Sequence, residues 1–524
     1  YLKGSKERIE LEAALNKYAN QVEEIPIVIG GERLKSPEEL SVTCPHDHGK
    51  KLAKFYRASS AMIQKAIDVS MKARVGWEAT PLKDRIDVFL KLADLCANKY
   101  RQDLNATTML GQAKTIVQAE IDAAAELVDF YRFNSFFAKE LTKYQPISPN
   151  PSETRNTMRY RGLEGFIAGI SPFNFTAIGG NLGASPAIMG NVILWKPSET
   201  ALLSNWVIFK ILEEAGLPPG VVNFVPCDGP VFGKTVTTSP HLAAVNFTGS
   251  VATWKWLSRA VGENLDKYTN YPRLIGECGG KNYHLIHPSA DLNSVAPSTL
   301  RSAFEYGGQK CSACSRIYVP QSVWPTLKDK LLALHKEIVI GDPTDPKTFF
   351  SAVIDRASFN RIKKYIDYAK SKHEIIAGGK YDDSKGYFIE PTIVVVNDPN
   401  DKLMNEEIFG PVLSVYPFPD KMVDKDIFEI VNKVPFGLTG AIFSQDTKYL
   451  QKALQELKMS AGNFYINDKS TGSVVGQQPF GGSRISGTND KAGGPHYMLK
   501  WASPQAIKET FVPLPDLHYP YMKE

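Results

Sequence analysis

Residues 165–195 carry not one charged side chain. A stretch of that length has to leave water, either as a helix crossing lipid or as the inside of a large folded core. Pro172, Asn174, Asn181, Pro186 and six glycines interrupt it. A lipid-facing helix has no water to satisfy the backbone groups that such breaks release. Membrane insertion is therefore not expected, and the stretch reads as buried strand, helix and strand.

The residues that follow repeat this pattern. Short apolar runs at 163–170, 191–195, 221–225, 242–247 and 274–277 alternate with helical periodicity at 177–189, 199–215, 229–238 and 251–261. Strands alternating with helices of that length predict βαβ units and a parallel sheet. A second series starts near Asn282, with a helix at 292–306, a strand at 316–319 and a helix at 324–338, and runs to about Tyr465. With 524 residues the chain exceeds what one core holds. The expected fold class is thus α/β, with two doubly wound domains. The residues before about Lys139 read as mainly helical, from apolar spacing at 84–98 and 117–133. Residues 141–160, polar and Pro-rich, read as an extended excursion, 472–487 as a Gly-rich loop and 497–511 as a final alternating stretch.

Charge narrows the partners. The 61 basic and 56 acidic side chains leave +5, and no dense Lys/Arg run forms a patch for nucleic acid. Six scattered cysteines suit a reducing compartment better than a disulfide framework. The chain opens at Tyr1 without a Met, which leaves room for a removed targeting segment.

Five places carry chemistry. Cys311 follows a Gly-rich turn, where backbone can approach a substrate closely. An isolated cysteine is more often a packing residue. Cys314 makes a Cys-x-x-Cys pair, but zinc needs about four ligands and no second pair is suitably spaced, so no metal is expected. Glu277 ends an apolar strand, which in an open α/β sheet faces a cleft. Asn174 stands at a strand-to-helix junction, where its amide either caps the helix or meets a developing oxyanion. Two segments suit a dinucleotide. Lys196-Pro-Ser-Glu199 ends a strand with a carboxylate able to accept a ribose diol and repel a 2′-phosphate. Phe247-Thr-Gly-Ser250 opens a helix whose N–H groups suit a pyrophosphate. A GxGxxG fingerprint is missing from the sheet, so these residues alone leave the cofactor unnamed.

Pro172-Phe-Asn-Phe, Lys196-Pro-Ser-Glu, Phe247-Thr-Gly-Ser, Glu277-Cys-Gly-Gly-Lys, Gly308-Gln-Lys-Cys, Glu407-Ile-Phe-Gly-Pro and Pro479-Phe-Gly-Gly together resemble the aldehyde dehydrogenase superfamily, in its order and across nearly the whole chain. Any one motif is weak, whereas seven in order are specific. The resemblance implies NAD bound without the glycine fingerprint, Cys311 as nucleophile, Glu277 as general base and Asn174 in the oxyanion hole. It assigns Lys196, Ser198 and Glu199 to the adenosine ribose side, Ser250 to the pyrophosphate, and Glu407 with Phe409 to the nicotinamide end. It also implies an NAD-binding domain (1–140 and 161–277), a catalytic domain (278–487), and a projecting β-flap and tail (141–160 and 488–524) that a homodimer would cover.

Segments 304–316 and 464–482 resemble more narrowly the members that oxidise L-glutamate 5-semialdehyde to L-glutamate in the mitochondrial matrix. Phe175, Ser312, Gly472, Ser473 and Phe480 would then meet the substrate. A dehydrogenase for another small aldehyde acid, such as succinate semialdehyde, and a non-catalytic protein on the same scaffold remain as alternatives. The second would be expected to have lost Cys311 or Glu277.

Overall fold

The uncharged 165–195 stretch forms the centre of a seven-stranded sheet in the computed structural model, which describes residues 1–524. It divides into the strand Phe166–Ile170, the helix Thr176–Ala184 and the strand Val192–Lys196. The helix packs on the sheet at van der Waals distance because Gly183 has no side chain. A Cβ there would lie 2.3 Å from the Trp195 ring, itself fully buried.

The strands of this sheet run, in space, Arg273–Glu277, Leu242–Thr248, Phe166–Ile170, Val192–Lys196, Val222–Phe224, Ile27–Ile29 and Glu32–Leu34. The first five are parallel, and the last two form an antiparallel hairpin on the edge. Chain order reverses between Phe166–Ile170 and Leu242–Thr248, so the connections leave opposite faces there and open a crevice at the strands' carboxyl ends. Mostly parallel sheets need both faces covered. Helices Ser60–Ala79 and Leu202–Ala215 supply part of that cover, with Ile63, Ile67 and most of Leu202–Ala215 buried.

A second seven-stranded sheet runs Glu374–Ala377, Thr392–Val395, Val412–Phe418, Cys314–Pro320, Asn282–Ile286, Thr439–Phe443 and Asn463–Ile466, parallel except at its first edge strand. Only Cys278–Lys281 separates the last strand of one sheet from a central strand of the other. Residues at the carboxyl end of the first sheet are therefore brought against residues at the amino end of the second. The two doubly wound α/β units read from the sequence are both present.

Two regions differ from expectation. The segment before Lys139 is not mainly helical throughout, because Glu23–Tyr56 contains five strands. Their charge-rich alternation (Glu39–Cys44, Asp47–Tyr56) is that of half-exposed antiparallel pairs rather than of buried parallel strands. The 497–511 stretch does not alternate from its start: Pro495–Leu499 is helical, and Tyr497, Met498 and Trp501 are buried in the first core. Only Ser503–Thr510 is extended, and it pairs along its whole length with Thr154–Arg161 as a two-stranded antiparallel ribbon.

Candidate active site

After the helix Leu292–Phe304 the chain turns through three consecutive left-handed residues, Tyr306, Gly307 and Gly308, at φ of 54°, 58° and 68°. Gly308 is fixed by space as well as by conformation: a Cβ would stand 2.3 Å from the Gly410 carbonyl oxygen. The turn delivers Cys311 to the cleft, half-buried, just before the strand Cys314–Pro320 begins. Asn282, itself buried, locks the loop. Its Nδ2 donates to the carbonyls of Cys311 (2.7 Å) and Ala313 (2.8 Å), and its Oδ1 accepts the Thr439 N–H at 3.0 Å. Cys314 points the other way, buried, with its thiol donating to the Arg316 carbonyl. All six cysteines are free, and no group of three or more His, Cys, Asp or Glu side chains could hold a metal ion.

Asn174 leaves the end of the Phe166–Ile170 strand and is buried. It makes no cap to the following helix, whose first flanking residue is Phe175. One Nδ2 hydrogen goes to the Gln309 carbonyl at 3.1 Å, which leaves the second available. Asn174 and Cys311 line the same cleft, and the Cys311 backbone N–H donates to no protein group. Two hydrogen-bond donors thus stand beside the thiol.

Glu277 ends the Arg273–Glu277 strand. Its Oε2 accepts the Gly482 N–H at 3.0 Å, while Oε1 is buried with no partner. Burial pushes this carboxyl up to about 8, with Asp490 adding to the rise and the Gly482 N–H opposing it. Glu407 accepts the Gly280 N–H at 2.8 Å, and burial pushes it up to about 7. Burial, reinforced by Glu407 and Glu277, holds the Cys311 thiol far above the ordinary cysteine range. The nucleophile rests as a thiol, so its proton has to be taken at the moment of attack.

A cleft of about 830 Å³ opens from Cys311 along the reversal point of the first sheet. Its neck is walled by Phe173 and Phe409, with ring centroids 5.8 Å apart, and Phe409 has a left-handed φ of 54°. Farther out, Lys196 and Ser250 line it. Ser250 caps the helix Val251–Gly262, its hydroxyl accepting the Thr253 N–H, so free N–H groups of the first turn face outward. A Cβ at Gly279 would overlap the Glu407 carboxylate, which keeps that wall open to Glu407. A cleft with a helix N-terminus and one buried carboxylate, Glu407, in its wall fits a dinucleotide. Ser198 and Glu199 follow Lys196 in the chain but do not line the cleft. Ser198 pairs with Thr200, and both Glu199 oxygens accept from Arg57.

The remaining expected residues do not line this cleft. The buried Ser312 hydroxyl pairs with Thr471 at 2.6 Å, which ties the Gly472–Ser473 turn to the cysteine loop. Gly472 has φ of 90°, and neither its N–H nor that of Ser473 donates to a protein acceptor. Phe480 is half-buried and bridges to Ala492. Phe175 covers Lys114, whose Nζ is 4.2 Å from its ring centroid and 4.4 Å from that of Tyr306.

Several neighbours have no signal in the motifs. Lys114 is wholly buried and paired with Asp122, which a π-helical turn at Glu120–Ala125 positions. Burial pushes the Glu126 carboxyl well up, and one of its oxygens has no partner. Lys469 donates to the Thr471 carbonyl at 3.1 Å, so a cation stands beside the Gly472 turn. Asn282 could have been noticed, since it directly follows the Glu277-Cys-Gly-Gly-Lys motif.

A family model described as "Aldehyde dehydrogenase family" matches residues 33–507. The mitochondrial delta-1-pyrroline-5-carboxylate dehydrogenase of Danio rerio is 56% identical over 525 residues, spanning 100% of this chain and 94% of that protein. Its counterpart from Homo sapiens is 56% identical over 526 residues, spanning 100% and 93%. A crystal structure of the delta-pyrroline-5-carboxylate dehydrogenase from Mycobacterium tuberculosis, bound with NAD, superposes with a TM-score of 0.95 at 44% identity, covering 99% of this chain and 96% of that one.

Proposed function

Because this chain belongs to the aldehyde dehydrogenase family, we propose a residue-by-residue account of the reaction it carries out. It is an NAD-dependent enzyme that oxidises L-glutamate 5-semialdehyde, the open form of 1-pyrroline-5-carboxylate, to L-glutamate in proline breakdown. The observation that carries the residue assignments is the set of unsatisfied groups around Cys311: its own backbone N–H, the second Asn174 N–H, and the free Glu277 oxygen.

Cys311 Sγ attacks the aldehyde carbon. The S–C bond forms, the carbonyl electron pair moves to oxygen, and the thiol proton passes to a base. Asn174 and the Cys311 N–H hold the resulting oxyanion, an effect worth about 2.7–4 kcal/mol for one donor in comparable sites. Lys196, Ser250, Glu407 and Phe409 would hold NAD, which when bound would accept the hydride that leaves the former aldehyde carbon as the oxyanion re-forms its C=O bond. The carbon is left as a thioester on Cys311. Glu277, titrating near 8, takes a proton from water, whose oxygen adds to the thioester before the C–S bond breaks.

On the substrate side, the free N–H groups of Gly472 and Ser473 and the Ser473 hydroxyl receive the α-carboxylate, with the Lys469 charge close by. Phe175 and Phe480 wall the methylene chain. Ser312 acts through Thr471, holding the turn in register with the nucleophile.

The flap reading belongs to the same proposal. The Thr154–Arg161 and Ser503–Thr510 ribbon pairs only with itself, and two strands alone are marginal in water. Tyr144, Ile147, Leu514 and Leu517 beside it are largely exposed. A homodimer covers such a surface, and light scattering on the purified chain tests it. No helix is long and apolar enough to cross a membrane. The vertebrate relatives are named mitochondrial, and we assign this chain to the matrix.

The substrate assignment is tested by NADH formation from 1-pyrroline-5-carboxylate, succinate semialdehyde and hexanal. The first should give the highest kcat/KM. A higher value for succinate semialdehyde would overturn the assignment of the Gly472 turn to an amino acid substrate.

A further inference from the structure

All three ammonium donors of Lys491 go to uncharged oxygens. Its Nζ donates to the Gly462 carbonyl at 2.7 Å, the Gly481 carbonyl at 3.1 Å and the Asn463 Oδ1 at 3.2 Å. Asn463 begins an edge strand of the second sheet, and the same Oδ1 accepts the Gly481 N–H at 3.1 Å. The residue after the lysine, Ala492, exchanges two backbone hydrogen bonds with Phe480, both at 2.9 Å. Lys491 is half-buried with a left-handed φ of 55°, a conformation a lysine keeps only where its surroundings fix it. Gly481 and Gly482 share one trans peptide group, so its C=O and N–H point in opposite directions. The C=O meets the Lys491 ammonium, and the N–H donates to Glu277 Oε2 at 3.0 Å. A cation thus stands at the oxygen end of this dipole and a carboxylate at its N–H end, an order in which each hydrogen bond strengthens the other.

We propose that Lys491 is a positioning residue for thioester hydrolysis, acting on Glu277 through the Gly481–Gly482 peptide. It fixes the direction of the N–H that holds one Glu277 oxygen, so that the unpartnered Oε1 stays free for water. The inference rests on the reading of Glu277 as the general base. The titratable groups facing Glu277 are Asp490, which pairs with Lys500 at 2.9 Å, Lys491, and the Cys278 and Cys311 thiols. Burial raises the Glu277 carboxyl, the Gly482 N–H opposes the rise, Asp490 adds to it and Lys491 opposes it. Burial lowers the Lys491 ammonium, and Glu277 opposes that in turn. Between the two charged neighbours, Lys491 is the one that favours the ionised base.

The test times formation and loss of the Cys311 thioester by rapid acid quench of the whole enzyme with NAD and glutamate semialdehyde. It compares Lys491→Met, Lys491→Arg, Glu277→Gln and the Lys491→Met/Glu277→Gln double variant across the pH range around 8. Melting temperatures verify folding. Lys491→Met should leave the NADH burst unchanged, slow hydrolysis roughly three- to thirtyfold near neutral pH, and move the hydrolysis midpoint up by about half to one and a half pH units. The loss should shrink as pH rises past the new midpoint. Lys491→Arg keeps the charge but not the three-oxygen fit, so it should slow hydrolysis and hold the midpoint. The double variant should be as slow as Glu277→Gln and no slower, because without the carboxylate the lysine has nothing to act on. Equal slowing of thioester formation and hydrolysis by Lys491→Met, or a further loss in the double variant, would overturn the inference and leave Glu277 as the base. Should Lys491→Met fail to fold, the Arg variant decides by the same comparison of burst and hydrolysis. A Glu277→Gln protein that hydrolyses its thioester at the normal rate would remove the base assignment itself, and the inference with it.

Discussion

Replacing Glu277 by Gln separates the two halves of the reaction. The change swaps one oxygen for an amide nitrogen of similar size, so packing is preserved. The Gly482 N–H keeps an oxygen acceptor at 3.0 Å, and the new NH₂ takes the place of an oxygen that had no partner. Its two buried N–H donors, if left unmade, cost about 1–3 kcal/mol each, which a domain of ordinary stability of ~5–15 kcal/mol survives. What disappears is the group that deprotonates water. General-base assistance is worth about 10²–10⁴-fold. The variant should therefore release roughly one NADH per site in a rapid burst and then turn over at about a hundredth to a ten-thousandth of the normal rate. Stopped-flow absorbance resolves both phases. The pH profile adds a second signature. A carboxyl near 8 is an effective base only as pH rises towards and past that value, so the steady rate of the unmodified enzyme should climb through about 8. The Gln variant should lose that climb. A variant with no burst would refute the reasoning, because Glu277 would then be needed before the thioester exists.

Three further outcomes follow from the same geometry. Cys311→Ala should abolish aldehyde oxidation and leave NAD binding intact by titration, whereas Cys314→Ala, whose sulfur is buried away from the cleft, should keep most activity; equal loss would point to dithiol chemistry. Ser473→Ala keeps the backbone N–H but loses a charge-assisted hydrogen bond of about 1.5–3 kcal/mol, so kcat/KM for glutamate semialdehyde should fall roughly ten- to a hundredfold while hexanal oxidation barely changes. Asn282→Ala removes the three hydrogen bonds that hold the Cys311 loop, each worth about 0.5–1.5 kcal/mol, and should lower both Tm and kcat; an unchanged kcat would mean the loop holds its shape without them.

What the sequence reveals here depends on how local the physical cause is. The central strands announce themselves because burial on both faces forces continuous apolar runs, and residues at their ends fall into the crevice by topology. Glu277 and Asn174 stand out as candidates for that reason, Cys311 stands out by the Gly-rich turn before it, and their motifs point to a family. The strands within Glu23–Tyr56 are hidden because half-exposed pairs carry charges such as Glu39, Lys51 and Lys54. Partners separated widely along the chain leave no local trace. Arg57 meets Glu199 across 142 positions, and Lys114 lies under Phe175 only because a π-helical turn rotates Asp122 towards it. The Ser312 hydroxyl meets Thr471, a contact fixed by the return of the chain 159 positions later.

The central claim is that oxidation passes through a covalent ester of one particular cysteine. The direct measurement is mass spectrometry of Glu277→Gln protein, mixed with NAD and glutamate semialdehyde and acid-quenched after the burst. The account predicts a glutamyl adduct on the peptide carrying Cys311, removed by hydroxylamine as a thioester should be. An unmodified Cys311 after a full burst of NADH, or an adduct on Cys314, would contradict it.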